Sequence, residues 1–234
     1  MFRTRITSAS LAVLLASCAH APVEFKGEPR EALAQVCSPG AQLKSARGSV
    51  FLKAKSKEAS GQFPAEVDAP GPDRLKIEIT NLVGGTEAII SVEGTHYTIN
   101  VPKQKNRSEK GERSWGGIPL QWSNALFLGR IPCPPTASLS GTGVTVNKEG
   151  DVVAETTRTL EAPAEKFVYH TRQVADLLWP ETLHWEKLDS AGGVAVAVDF
   201  KFDEPEAGSR SPRKWEAKSS QGEVKVRWRE RTTQ

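Results

Sequence analysis

Few side chains in these 234 residues could do acid–base, nucleophilic or metal chemistry. The histidines are His20, His96, His170 and His184, and the cysteines are Cys18, Cys37 and Cys133. No histidine pair has the HExxH spacing of a zinc helix, and no serine sits in a GxSxG elbow. No histidine stands at ligand spacing to Cys37 or Cys133, which leaves no metal site. The carboxylates are scattered along polar faces. Gly84-Gly85 follows one strand-like stretch and leads into another, so it offers no helix terminus to a phosphate. Neither catalytic residues nor a cofactor are expected, and the reading is a non-enzyme.

Cys18 is the one position with a definite covalent chemistry. Arg3 and Arg5 form a positive n-region, and Leu11 to Leu15 lie in an apolar run too short to span a bilayer. Leu15-Ala16-Ser17-Cys18 then matches the bacterial lipobox. Cleavage after residue 17 would leave Cys18 as a lipidated first residue, whose several acyl chains give stable anchoring. The plainer alternative is a secretory signal in which Cys18 is incidental. Ala19, not Asp, follows the cysteine, which under the familiar sorting rule implies the outer membrane, facing the periplasm. In that oxidising compartment Cys37 and Cys133 could form a disulfide, or remain two buried thiols.

The chain carries 31 basic and 28 acidic residues; losing residues 1–17 removes Arg3 and Arg5 and no acid, leaving 29 against 28. So balanced a chain is not expected to bind nucleic acid. After Cys18 no apolar run is long enough for a membrane-spanning helix.

The elements follow from periodicity. Residues 18–29 read as a tether and Pro29 to Val36 as a short helix ended by Pro39-Gly40. Alternation of apolar and polar residues then predicts strands. These carry Val50, Leu52 and Ala54; Phe63, Ala65 and Val67; Leu75, Ile77 and Ile79; Ile90 and Val92; and Tyr97, Ile99 and Val101. Turns are expected at Ser60-Gly61, Pro70-Gly71-Pro72, Gly84-Gly85 and Glu93-Gly94-Thr95. Lys103 to Arg113 reads as a solvated loop, with a basic patch for lipid phosphates as the sharper alternative. Ser123 is placed to cap an apolar helix from Asn124 to Gly129, which should cover the sheet. Further strands are expected around Val144, Val152 to Leu160, Lys166 to Thr171, Leu183, Val194 to Phe202 and Val224 to Trp228. Trp179-Pro180 should interrupt them, and Glu204 to Arg213 should be a loop. Ten or eleven antiparallel strands should curl or close.

One feature breaks the pattern. Leu82-Val83 places two aliphatics at the tip of a hairpin, where polar residues are usual. They need a partner or a lid.

The run DRL-x-I-x-ITN-x-x-GGTE, residues 73–87, with GGIPL-QWSNALFLGRIPCP at 116–134, resembles the LolB family of outer-membrane lipoproteins. These receive client lipoproteins from the periplasmic carrier LolA. The resemblance implies that residues 30–234 form an unclosed β-barrel of about eleven antiparallel strands, with short lid helices over an apolar cavity for acyl chains. It implies a LolA-type carrier, client acyl chains and the outer membrane as partners, for a monomer. It also implies a membrane-transfer loop at Leu82, Val83 and Gly84. Val83 stands where the family uses leucine, and Leu82 where it often has proline, so either could be the wedge; packing on the lid is the alternative. Cavity candidates are Leu52, Phe63, Leu75, Ile77, Ile90, Ile99, Leu120, Trp122 and Leu126, each equally explained as ordinary core. The expected function is acyl-chain binding and insertion of lipoproteins into the outer membrane. The alternatives are a structural or envelope-assembly lipoprotein, or a free-lipid carrier, on the same fold.

Overall fold

The computed structural model describes residues 27–56, 60–102, 108–135, 141–159, 162–207 and 210–234. Cys18, with the signal segment and most of the tether, lies outside them, as do residues 103–107 of the polar loop.

The chain opens with α1 (Pro29–Cys37), whose Ala32, Leu33 and Val36 are buried. Pro at the first turn costs it no hydrogen bond, because that N–H has no helical partner anyway. A meander follows: β1 (Ala46–Ser56), β2 (Ser60–Gly71), β3 (Arg74–Thr80), β4 (Thr86–Glu93), β5 (His96–Asn100) and β6 (Ser108–Glu112). A two-residue pair, β7 (Ser114–Trp115) and β8 (Ile118–Pro119), leads into α2 (Leu120–Leu128). The second meander is β9 (Thr142–Val146), β10 (Val152–Thr156), β11 (Glu165–Val174), β12 (Leu177–Leu188), β13 (Val194–Phe202), β14 (Lys214–Ser219) and β15 (Gly222–Thr233).

Thirteen of these strands form one antiparallel sheet in the order β6-β5-β4-β3-β2-β1-β15-β14-β13-β12-β11-β10-β9. The first and last strands therefore pair at its middle, Leu52 opposite Val226 and Ala54 opposite Val224. Among the described residues β6 and β9 each pair on one side only, so the barrel is unclosed. The helices cover one face, and the core lies between them and the sheet.

The sheet has two strands more than the eleven expected, β6 and β14. β6 replaces the end of the predicted loop. Ser108, Glu109 and Lys110 are exposed, and an edge strand protected by polar side chains shows no apolar alternation. Tyr97 packs its ring where a Cβ on Gly111 would stand, so glycine there admits the neighbouring ring. β14 buries only Trp215 and Ala217, too short an alternation to separate from a loop.

Three local expectations are corrected. α2 begins at Leu120, after Pro119, and Ser123 lies inside it with its hydroxyl donating to the Pro119 carbonyl at 3.4 Å. Trp179-Pro180 continues β12; its register shift absorbs the irregularity, and Trp179 is fully buried. β2 runs on to Gly71, so the following turn begins at Pro72. Pro64, which cannot donate to a ladder, sits one residue beyond the first β2–β3 pair, Ala65–Ile79.

Candidate functional site

The inner face of the sheet and the underside of α2 make one apolar body. Leu52, Leu75, Ile77, Ile90, Leu120, Trp122 and Leu126 are buried in it, and Phe63 and Ile99 pack half-buried at its margin. The alternation of β1, β3 and β4 points these side chains the same way. α2 lies against β2 and β3. All nine predicted cavity residues thus meet in one cluster.

The aromatic side chains of the second wing, the meander β9–β15, are absent from the predicted cavity set, yet they form much of this interior. Trp122 meets Phe167 edge-on at 5.9 Å and Trp185 at 6.1 Å; Phe127 meets Trp215 at 5.2 Å. Phe167, Tyr169, Trp179, Trp185, Phe200 and Trp228 are fully buried. Phe167–Tyr169 and Leu183–Trp185 do alternate in the sequence, but only the tertiary fold turns that face toward α2. The indole N–H groups of Trp122, Trp179, Trp185, Trp215 and Trp228 have no hydrogen-bond partner among the described residues. Buried donors of this kind are unusual.

A clasp joins the ends of the two helices. Cys37, the last residue of α1, is disulfide-bonded to Cys133, with Cα atoms 6.0 Å apart. The Arg130 guanidinium donates twice to the Leu43 carbonyl, through Nε at 3.1 Å and through Nη2. Gly40 (φ +67°) lies so close to Gly129 that a Cβ on it would fall 2.1 Å from the Gly129 carbonyl oxygen. Beside the disulfide the Tyr169 hydroxyl donates to the Pro132 carbonyl at 2.9 Å. Burial, reinforced by the Glu165 carboxylate, raises its pKa well above the ordinary 10.0.

The loop is the opposite environment. Leu82 is 94% and Val83 91% exposed, so neither packs on a lid. The turn is held by its ends. Asn81 Oδ1 accepts from the N–H of Val83 (3.1 Å) and Gly85 (2.8 Å), and the Asn81 N–H donates to the Gly85 carbonyl at 2.9 Å. Gly84 adopts φ +85°, with open space around it, so glycine is needed for conformation rather than room.

The described histidines lie apart from this interior. His170 pairs with Asp151 at 2.6 Å, and His96 approaches Glu112 at 3.7 Å. His184 sits between Asp199 (2.7 Å) and Glu186 (3.1 Å). Among the described residues no group of three or more His, Cys, Asp or Glu could hold a metal ion. Two surface clefts lie on the outer face. One is lined by His184, Asp199 and Lys218, the other by Phe51, Lys53 and Arg227, and none of the predicted cavity residues lines either. No described helix is long and apolar enough to cross a membrane.

No family model matches the sequence, and no curated protein matches it. Solved structures do. A LolA superfamily protein from Nitrosomonas europaea superposes with a TM-score of 0.51 at 11% identity, over 89% of this chain and 94% of that one. A domain described as an outer membrane lipoprotein-sorting protein, from Vibrio parahaemolyticus, gives 0.50 at 8% identity, over 88% and 94%. At such identities the likeness lies in the path of the backbone. The chain therefore has the fold of these proteins, an unclosed antiparallel β-barrel with lid helices.

Proposed function

We propose that this protein is a lipid-anchored receptor at the outer membrane. In this reading residues 1–17 are removed, Cys18 carries the anchor, and residues 30–234 face the periplasm. The barrel takes the acyl chains of a client lipoprotein from a LolA-type carrier, and the Leu82-Val83 loop helps to hand them to the membrane. The observation that carries the reading is the loop: two nearly fully exposed aliphatics on a turn whose geometry depends on Asn81 and Gly84. The apolar interior supports it, since acyl burial yields about 0.8 kcal/mol per CH₂. So do the unpartnered indole N–H groups, because ester carbonyls of a lipid would supply acceptors. Uptake requires α2 to part from the aromatic side chains beneath it.

The test is transfer. A LolA-type carrier loaded with labelled lipoprotein is mixed with protein in which Cys18 is replaced, then with liposomes. Label should move to this protein and on to the liposomes. Val83→Glu should accept label but release it to liposomes about tenfold more slowly, as a carboxylate enters an apolar layer at high cost. Label that stays on the carrier would overturn the receptor role.

A second reading has its own observation. The interior is occupied by the protein's own side chains, with Ile77, Leu126, Phe167 and Trp179 wholly buried. A structural or envelope-assembly lipoprotein needs no more than that. Failure to take up either lipoprotein or free fatty acid, in an otherwise stable protein, would favour it. Lipid co-purifying with the protein would instead point to a free-lipid carrier.

A further inference from the structure

The β3–β4 turn has two near-copies elsewhere in the chain. In each, an Asn or Asp side-chain oxygen accepts from two N–H groups, two and four residues on, and the fourth residue is glycine. In Asn81–Gly85 the distances are 3.1 and 2.8 Å; in Asp189–Gly193, between β12 and β13, both are 2.8 Å; in Asn147–Asp151, between β9 and β10, they are 3.0 and 2.8 Å. The first residue also donates its N–H to the fifth residue's carbonyl in all three. This geometry leaves the second and third positions free, so what stands there is not dictated by the turn.

The choices follow the rim. Register across the sheet places Asn81–Gly85 and Asp189–Gly193 at one end of the barrel and Asn147–Asp151 at the other. At the far end the free positions are exposed Lys148 and Glu149. At the near end they are Leu82 and Val83 in one turn, and Ser190 and Ala191 in the other. The second turn continues into Val194, 53% exposed, and exposed Ala195. Residues 190–195, SAGGVA, are thus an exposed tip without a charge.

We infer that the β12–β13 hairpin is a second membrane-contact point, which with Leu82-Val83 seats this rim of the barrel on a lipid bilayer. The inference deepens the proposed function and rests on it. The two tips are separated by six strand spacings, about 29 Å along the sheet at about 4.8 Å each. Between them the described β14–β15 turn, Ser219, Ser220 and Gln221, is polar. A protein partner needs a continuous complementary face, whereas a bilayer accepts separate shallow insertions at any spacing. Two points also fix what one cannot: they limit the barrel's tilt about the loop, and so hold its end against the lipid.

Solvatochromic labels would test this on the full chain with Cys18→Ala and one added cysteine, Val83→Cys, Val194→Cys or Glu149→Cys. The probe is vesicles of phosphatidylethanolamine and phosphatidylglycerol at three to one. Labels at 83 and 194 should both shift to the blue, while the label at 149 stays in water. If 83 shifts and 194 does not, the contact is single, and this inference falls while the proposed function stands. If neither shifts, hand-over through this rim falls as well. If 194 shifts only when the carrier is added, the hairpin is a protein interface and the inference is overturned. In the transfer assay Val194→Asp should slow release to liposomes several-fold and leave uptake unchanged; release at the wild-type rate would refute it.

Discussion

His184 shows how a surface residue can tie stability to pH. Burial disfavours its charged form, but hydrogen bonds and charge interactions with Asp199 and Glu186 together outweigh that and raise its pKa above the ordinary 6.5. A histidine whose folded pKa is raised stabilises the fold fully below about 6.5 and loses that contribution as pH rises through the raised value. Urea midpoints at pH 5.5 and 8.5 should therefore differ more in the wild type than in His184→Gln, with the excess favouring the acidic side. Equal pH dependence in the two proteins would remove the imidazolium from the account. The side chain is nearly half exposed, so solvent screening keeps the effect small. Its neighbour in the same cleft, Lys225, is held by Glu216 and Glu223, which push its pKa up to about 12. Lys225 stays charged throughout that range.

At the scale of elements the clasp matters most. α1 packs on β9, β10 and β12, while α2 lies along β2 and β3 and reaches β11, β12 and β14 through Trp122 and Phe127, and the disulfide fastens α1 to the segment after α2. It closes a loop spanning 96 positions. Chain entropy gives a ceiling of roughly 5 kcal/mol for such a loop, and about 2–4 is the usual yield. The Cys37→Ser/Cys133→Ser variant should lose about that much stability in denaturant titration. Dithiothreitol should lower the wild type to the same level and leave the variant unchanged. A variant as stable as the oxidised wild type would mean that Arg130 on Leu43, with the packing around Gly40 and Gly129, suffices to hold the helix ends.

At the scale of the molecule the seam is β1 with β15. Every other join in the sheet is a connection between strands consecutive in the chain; this one brings the two ends of the domain together. The Gln234 carbonyl accepts from Lys44 and Ser45, and Val226 and Trp228 fill the core beneath. Deleting residues 222–234 would leave β1 and β14 as unpaired edges in mid-sheet, with core side chains uncovered. Such edges recruit other chains. The truncated protein should lose the far-ultraviolet signature of the wild type or elute as aggregates on size exclusion. A soluble, monomeric product with native dichroism would show that the wings fold independently.

The sequence by itself determined the strand class, because a half-buried strand must alternate. Val194 to Phe202 and Leu75 to Ile79 could be assigned on that ground alone. It also marked the hairpin tip, since Leu82-Val83 contradicts what water selects at a turn. β6 and β14 were hidden: one is polar on both faces at an open edge, and the other buries only two side chains. The start of α2 was hidden too, because Pro119 ends the extended segment without a side-chain cap and Ser123 looked like a better one. Only the tertiary structure decided what lies under the lid. Whether Trp185 or Trp215 faces α2 depends on the twist and curl of thirteen paired strands, a property that no single strand's periodicity contains. It alone decided as well that two turns more than a hundred residues apart share one rim, because register accumulates across the sheet, strand by strand.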